Sequence, residues 1–286
     1  GSSEPDGEDL DEPEDETITD SWTVAEQPPT DILIYIDQSG SMDDNHALLR
    51  AQTSAFIGSI ETYSDDWQMI IANQDNGCNQ TDGVLVPTDS DYETRFQNAI
   101  GDGGGWLTEA GLTIASEAVE MTDAAECNYG FIRDDALLHI ISISDESDQS
   151  SSNWSWYVDK IIAKKRSSSL VKFSAIGGPY PGGCETADAA DGYHQAVEAT
   201  GGLFLSICEA WATPDNLSRL AEASTLRSSY ELSETPDVES ISVRVNDSER
   251  TEGWGYDENN NAIIFDAPLP APGAEIEVLY NAAGDE

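Results

Sequence analysis

Residues 37–41 read Asp37-Gln38-Ser39-Gly40-Ser41: one carboxylate and two hydroxyls within five positions, with a glycine that permits a tight turn. A second run, Ser144-Asp145-Glu146-Ser147-Asp148, offers the same kinds of oxygen. Between them the glycine-rich break Gly101–Gly105 leads into Trp106, Leu107, Thr108 and Glu109, which puts Thr108 at a predicted helix start. None of these donors is His or Cys. Hard oxygen ligands of this kind suit Mg²⁺, Mn²⁺ or Ca²⁺ rather than zinc.

Three runs so far apart in sequence act together only if the fold gathers them. Asp31–Asp37 and Ala136–Ser144 are near-continuous apolar runs, the pattern of strands buried on both faces. Each oxygen-rich run follows directly on such a strand. In an open α/β sheet, ligands bind outside the carboxyl ends of the strands. The rest of the chain alternates in the way that sheet requires. Helical spacing over 43–62 is followed by a strand at Trp67–Asn73, a short edge strand at Gly83–Pro87 and helices at Asp89–Ile100 and Thr108–Met121. After Ala136–Ser144 come a helix (Ser152–Arg166), a strand (Leu170–Gly177), a helix (Asp188–Thr200) and a strand (Gly202–Ile207). Thr213-Pro214-Asp215 reads as an N-cap with proline at the first position of a last helix ending near Arg227. The expected fold is therefore α/β: a doubly wound, mostly parallel central sheet with helices on both faces. Beyond Ser233 the texture changes to short alternating segments around Val238–Val245, Trp254, Ala262–Asp266 and Glu275–Tyr280, which predict a small antiparallel β-module.

Composition separates three regions. Residues 1–20 hold ten acids and no base, so residues 1–25 are expected to form a disordered acidic tether. Residues 26–234 form the α/β domain and 235–286 the β-module. With 56 Asp and Glu against 12 Lys and Arg, the net charge is −44, and 34 of those charges lie beyond the tether. A surface so anionic repels nucleic-acid backbones and anionic lipid heads, which argues against either as a partner, and it suits a salty medium. No apolar run approaches the roughly 18 residues of a membrane helix, so no membrane insertion of this chain is expected. Any export signal or lipid anchor is expected upstream of Gly1. Cys78, Cys127, Cys184 and Cys208 form no CxxC, and an even, dispersed set fits two disulfides in an exported protein. Of three possible pairings, the neighbours along the chain are favoured: Cys78–Cys127 and Cys184–Cys208. The alternative is four free thiols in a cytosolic protein.

The DxSGS run closing a buried first strand, the later Thr108 and the strand-terminal Asp145 resemble the von Willebrand factor type A domain and its metal-ion-dependent adhesion site, in its prokaryotic surface-protein form. The resemblance covers about residues 31–230. It implies that Ser39 and Ser41 ligate the ion directly through their hydroxyls, that Thr108 engages when ligand is bound, and that Asp37 and Asp145 hold the ion's waters. The segment before Thr108 is bulkier than the Gly-x-Thr usual in the family. With neutral hydroxyls in the inner shell, the ion keeps much of its charge and accepts an Asp or Glu carboxylate from a protein partner.

Other residues carry two readings. Asp43 and Asp44 are an acidic first turn of a helix, or, by a looser analogy to integrin β subunits, a second metal site. Asp75, Asn79 and Asp82 are a solvated loop tip or a calcium loop. Trp106, Trp156 and Tyr180 rim the site as binding anchors, or pack under its loops. His139 reads as a core residue, and His46 and His194 receive no role. Ser39 has no identifiable base, and no GxSxG, P-loop or dinucleotide motif occurs, so no enzymatic activity is expected. The expected function is extracellular, divalent-cation-dependent adhesion or protein binding. The alternatives are a non-adhesive subunit of a metal-dependent enzyme complex and a structural surface-layer module.

Overall fold

The computed structural model describes residues 17–25, 29–101, 109–225, 229–265 and 269–283. Its strands are β1 (Thr17–Thr23), β2 (Thr30–Ile36), β3 (Trp67–Ile71), β4 (Leu137–Ile143), β5 (Val171–Gly177), β6 (Phe204–Ser206), β7 (Ser229–Glu231), β8 (Ser242–Val245), β9 (Ser248–Glu249), β10 (Trp254–Asp257), β11 (Ala262–Phe265) and β12 (Glu275–Asn281). Its α-helices are α1 (Asp43–Tyr63), α2 (Tyr92–Ala99), α3 (Gly111–Glu120), α4 (Trp154–Lys165), α5 (Tyr193–Thr200) and α6 (Pro214–Glu222). The chain divides into two compact units, residues 27–226 and residues 1–26 together with 227–286.

The larger unit is the expected α/β domain. Five parallel strands run in the order β3-β2-β4-β5-β6. The predicted strand at Gly83–Pro87 is reduced to one antiparallel bridge, Leu85 to Met69, outside β3. The chain thus leaves β2 toward one edge and returns to lay β4 on the other side of β2. That reversal makes the carboxyl ends of β2 and β4 the switch point where an open α/β sheet forms its crevice.

Every residue of β2 and β4 is buried, because helices cover both faces. Ile32, Ile34 and Ile36 face a core with α1 (Leu49, Phe56, Ile60), α2 (Phe96) and α6 (Leu217, Leu220). Leu33 and Tyr35 face the other core, with α3 (Leu112, Ala115), α4 (Val158, Ile161) and α5 (Tyr193, Val197). Each such aliphatic or Phe side chain contributes ~1.5–3 kcal/mol on burial. Neither face could be polar, and that is why the strands read as continuous apolar runs. At α6 the expected cap is present: Pro214 opens the helix and Thr213 Oγ1 accepts from Asn216 N–H (3.3 Å). The helix stops at Glu222, earlier than its apolar pattern suggests.

The amino end of this sheet is closed by charge. Asp31 is fully buried at the start of β2 and accepts from Arg133 N–H and Nε–H, both at 2.8 Å. The Arg133 guanidinium also donates to Thr30 O (3.0 Å) and pairs with Asp66. His139, fully buried in β4, is held between Ser174 Oγ and Ser224 Oγ, each at 2.7 Å. Burial drives its pKa down to about 3, with the Lys172 charge adding to the shift, so the ring is neutral.

The smaller unit holds two antiparallel sheets, β1-β12-β8-β9 and β10-β11-β7, whose apolar side chains share a core around Tyr230, Phe265, Val278 and Tyr280. Its first strand corrects the expected tether. Thr17–Thr23 pairs along its whole length with β12. Ile18 and Trp22 pack on the core, while Asp20 Oδ2 accepts from Ser233 N–H (2.8 Å) and from the Tyr280 hydroxyl (2.7 Å). Seven residues rich in threonine, with Ile18 and Trp22 on the inner side, outweighed the acidity around them. The unit also begins earlier than residue 235, since Tyr230 of β7 pairs with Ile263 of β11. Val238–Ser240 forms a 3₁₀ turn, so the strand expected from Val238 starts at Ser242.

Candidate functional site

Asp37 follows β2 without a break, and its N–H still donates to Ile143 O across the sheet (2.9 Å). Its carboxylate is fully buried and oriented by the turns on either side. Oδ1 accepts from Ser39 N–H (2.7 Å) and Oδ2 from Ser144 Oγ–H (2.7 Å). Ser144 is the first residue of the second oxygen-rich run, so a single hydroxyl ties the two runs together. From Ser39 the chain makes a 3₁₀ turn, Gly40–Met42, into α1. This brings Ser39 Oγ and Ser41 Oγ to 3.0 Å from each other.

Three side chains hold that turn from behind. Gln38 Nε2–H donates to Ile36 O (2.9 Å) and Ile100 O (3.0 Å). Asn73 accepts from Ile36 N–H (2.9 Å) and donates to Ala99 O (3.0 Å). His46 Nε2–H donates to the carbonyl of Asp37 (2.6 Å). His46 therefore has a place beside the site after all. It lies on the buried face of α1 with Leu49 and Thr53, and a polar ring at that helical spacing was the signal that it needed a buried acceptor.

Asp145 stands at the end of β4, next to the end of β2, and is only 6% exposed. Its Oδ1 is buried without a hydrogen-bond partner among the described residues. Burial raises its pKa, the Ser41 hydroxyl opposes that shift, and the charges of Asp37 and Asp188 reinforce it. Glu109 and Glu146 belong to the same field. Burial and the charges of Asp37 and Asp145 raise Glu109. Burial, followed by Glu109, Asp188, Asp145 and Asp37, raises Glu146. Among the described residues, no Lys or Arg pairs with any of these five carboxylates.

The remaining expected residues fall into three groups. Thr108 and Trp106 lie outside the described residues. Asp43 and Asp44 are exposed in the first turn of α1. Trp156 is 52% exposed and packs edge-on against Tyr157 with Lys160 over its ring; Tyr180 is 44% exposed and stacks on His194. Asn79 braces its own loop, with Nδ2–H donating to Cys127 O (2.9 Å) and Oδ1 accepting from Gly83 N–H (3.0 Å). The disulfides are Cys78–Cys127 and Cys184–Cys208.

The donor set fits a small hard cation. Two hydroxyl oxygens 3.0 Å apart have the spacing of neighbouring corners in an octahedron with bonds of about 2.0–2.1 Å. Beside them is a buried carboxylate oxygen with no donor, within a field of uncompensated negative charge. Among the described residues, no cage of three or more His, Cys, Asp or Glu side chains is present; this edge of the sheet combines hydroxyls with two aspartates. Among the same residues, no helix is long and apolar enough to cross a membrane.

No protein-family model matches the chain, and no curated protein does. Solved structures resemble it at low identity. The open conformation of the pilus adhesin SpaC from Lactobacillus rhamnosus GG is 12% identical, with a TM-score of 0.51 over 92% of this chain and 40% of that one. A von Willebrand factor type A protein from Catenulispora acidiphila is 14% identical, with a TM-score of 0.43 over 94% of this chain and 66% of that one. Proximal thread matrix protein 1 from the mussel byssus is 14% identical, with a TM-score of 0.48 over 74% of this chain and 51% of that one. The chain thus spans between 40% and 66% of these neighbours' lengths. The likeness to SpaC concerns the fold alone.

Proposed function

We propose that this chain is a divalent-cation-dependent protein-binding domain of the von Willebrand factor type A kind, working outside the cell in adhesion or surface recognition. Ser39 and Ser41 would hold the cation, with Asp37 and Asp145 around it; when bound, it supplies the positive charge that a partner's Asp or Glu carboxylate seeks. The observation that carries the reading is the buried, unpartnered Asp145 Oδ1 beside the hydroxyl pair. An anionic oxygen left without a donor in a buried position is costly unless something positive comes to it.

The chain's own residues prepare the place. Asp37 is locked by Ser39 N–H and Ser144 Oγ–H, which fixes the turn that carries the Ser39–Ser41 hydroxyl pair. His46, Asn73 and Gln38 fix the backbone beneath. Among the described residues, no His or Lys side chain bonds either serine hydroxyl, which supports binding rather than nucleophilic chemistry. Two disulfides favour an oxidising compartment over an intracellular complex. Attachment through a lipid-anchored N-terminus upstream of Gly1 belongs to the same proposal.

Calorimetric titration with MgCl₂ and MnCl₂ tests the cation. One site is expected in the native chain and none in Asp145→Ala. A heatless titration of the native chain overturns the reading. Cation binding without EDTA-sensitive capture of any carboxylate-bearing ligand would instead favour a structural module.

A further inference from the structure

Four Asn-x-Ser/Thr triplets occur in the chain: Asn79-Gln80-Thr81, Asn153-Trp154-Ser155, Asn216-Leu217-Ser218 and Asn246-Asp247-Ser248. None has proline in the middle, so each has the pattern that accepts an N-linked glycan in an exported protein. A glycan of this kind hangs on Nδ2 of the asparagine. The fold separates the four by which end of the asparagine amide it uses.

At Asn79 and Asn216 the nitrogen is already employed. Asn79 Nδ2 donates to Cys127 O and to Asn128 Oδ1, both at 2.9 Å, which engages both its hydrogens. The hydroxyl of that triplet, on Thr81, is fully buried and donates to Gly83 O (2.7 Å). Asn216 Nδ2 donates to Ala210 O (3.2 Å). Its triplet lies inside α6, where Leu217 is fully buried and Ser218 Oγ is 3.2 Å from the Tyr63 hydroxyl of α1. A sugar at either asparagine displaces packing that the fold uses.

Asn153 and Asn246 work through oxygen alone. Asn153 caps α4, with Oδ1 accepting from Ser155 N–H and Ser155 Oγ–H, both at 3.0 Å. Asn246 opens the two-residue turn between β8 and β9 at a left-handed φ of 50°, a conformation asparagine tolerates. Its Oδ1 accepts from Glu275 N–H (2.9 Å). In both cases a backbone donor fixes which end of the amide is oxygen. Both residues are exposed, and neither Nδ2 has a hydrogen-bond partner among the described residues. Substituting that nitrogen leaves the cap and the turn as they are.

We propose that Asn153 and Asn246 carry N-linked glycans, while Asn79 and Asn216 stay bare. The donor is a sugar activated at C1 by a lipid-linked phosphate. Asn Nδ2 forms the bond to C1 as the C1–O bond to phosphate breaks. The lipid phosphate leaves with the electron pair, and the Nδ2 proton passes to a base of the transferase. The inference rests on the extracellular half of the reading above and needs no cation.

The test is peptide mapping by tandem mass spectrometry, on the full chain purified from the cells that make it. Peptides holding Asn153 and Asn246 are expected to carry sugar, and those holding Asn79 and Asn216 none. In the intact mass, Asn153→Gln and Asn246→Gln should each lose one glycan. Ser155→Ala and Ser248→Ala should do the same while keeping the asparagine. Ser155→Ala also keeps the cap, since Asn153 Oδ1 still accepts from the backbone N–H of residue 155, so its result does not depend on a disturbed helix start. Sugar found on Asn79 or Asn216 overturns the selection by the fold. A bare Asn153 or a bare Asn246 overturns the assignment at that position, and a glycan that survives the Ser→Ala change overturns the triplet as its cause. Thiols are counted on the same sample. Both positions bare with both disulfides formed overturns the glycans and leaves the extracellular reading standing; both bare with four free thiols overturns the two together.

Discussion

An aspartate stands at each end of strand β2, Asp31 at its second residue and Asp37 just after its last, and the two ends treat that charge in opposite ways. At the amino end Asp31 is buried with Arg133 donating to both its oxygens, and the same guanidinium reaches Asp66 and Thr30 O. At the carboxyl end Asp37 and Asp145 are buried beside Glu109, Glu146 and Asp188, without a Lys or Arg among the described residues. One end satisfies its charge with a basic side chain of the chain itself, and at the other no Lys or Arg among the described residues answers it. Buried carboxylates alone therefore do not mark a function; the marker is a buried carboxylate whose compensation is missing.

The difference is broken most forcefully at the satisfied end. Arg133→Ala takes the guanidinium charge and the Nε–H donor from buried Asp31, leaving it the backbone N–H alone, and is expected to cost about 3–5 kcal/mol of folding stability. Urea denaturation reads that loss. Magnesium affinity of the surviving folded fraction should stay unchanged, because Arg133 touches nothing at the other edge of the sheet. If Arg133→Ala instead abolished cation binding while leaving stability intact, the assignment of roles to the two ends would be reversed.

The open end should respond to ligand. At a hundredfold excess of Mg²⁺ over its Kd, the native chain gains about 2.7 kcal/mol, read as a rise in the urea midpoint. Asp145→Ala should gain nothing. Without magnesium the same variant is expected to be about as stable as the native chain, because it removes a buried carboxylate repelled by Asp37 and Asp188 together with its Ser41 contact. A substantial loss of stability in magnesium-free buffer would mean that the Ser41 contact outweighs that repulsion.

Acid sharpens the contrast at His139. Its folded pKa, about 3, lies below the unfolded 6.5, so the unfolded chain binds the proton first. Stability from this residue is complete above pH 6.5 and is lost as pH falls, by about 1.4 kcal/mol at pH 5.5. Asp31 acts in the opposite sense. Burial pushes its carboxyl up to about 6 against the pull of Arg133, so acidification between pH 6 and 4 favours the fold there. The prediction is therefore a difference: between pH 7 and 5.5, His139→Gln should lose less stability than the native chain by about 1.3 kcal/mol. Parallel curves for the two proteins would refute the neutral, buried ring.

What could be read in advance follows the same division between local and distant. The apolar runs of β2 and β4, the Thr213–Pro214 cap and the oxygen-rich runs at two strand ends are local patterns, and the parallel sheet with helices on both faces follows from them. The disulfide pairs were accessible because each joins neighbouring segments. Strand β1 was not, because Thr17–Thr23 finds its partner β12 only across the whole chain, and nearby composition suggested a tether. Nor was the Asp31–Arg133 pair, 102 positions apart. At the site, Asp37, Ser39, Ser41 and Asp145 carry their own signature. The support from His46, Asn73 and Gln38, and the nearby acids Glu109 and Asp188, depend on which loops the fold brings together. Thr108 and Trp106 lie outside the described residues, and their part stays with the resemblance.

The smallest effect concerns Asp43 and Asp44, the acids next in sequence to the hydroxyl pair. Both are exposed in the first turn of α1, where a negative charge meets the positive end of the helix dipole at about 0.3–1 kcal/mol each. That is enough to account for them without a second ion. The double variant Asp43→Asn/Asp44→Asn should lose no more than roughly 2 kcal/mol, with the loss shrinking as salt is added. Calorimetry should count the same number of Mg²⁺ and Ca²⁺ sites before and after the change. A calcium site that disappears with this pair would turn an ordinary helix start into a second centre of uncompensated charge, and the open end of the sheet would then extend one helical turn further than drawn.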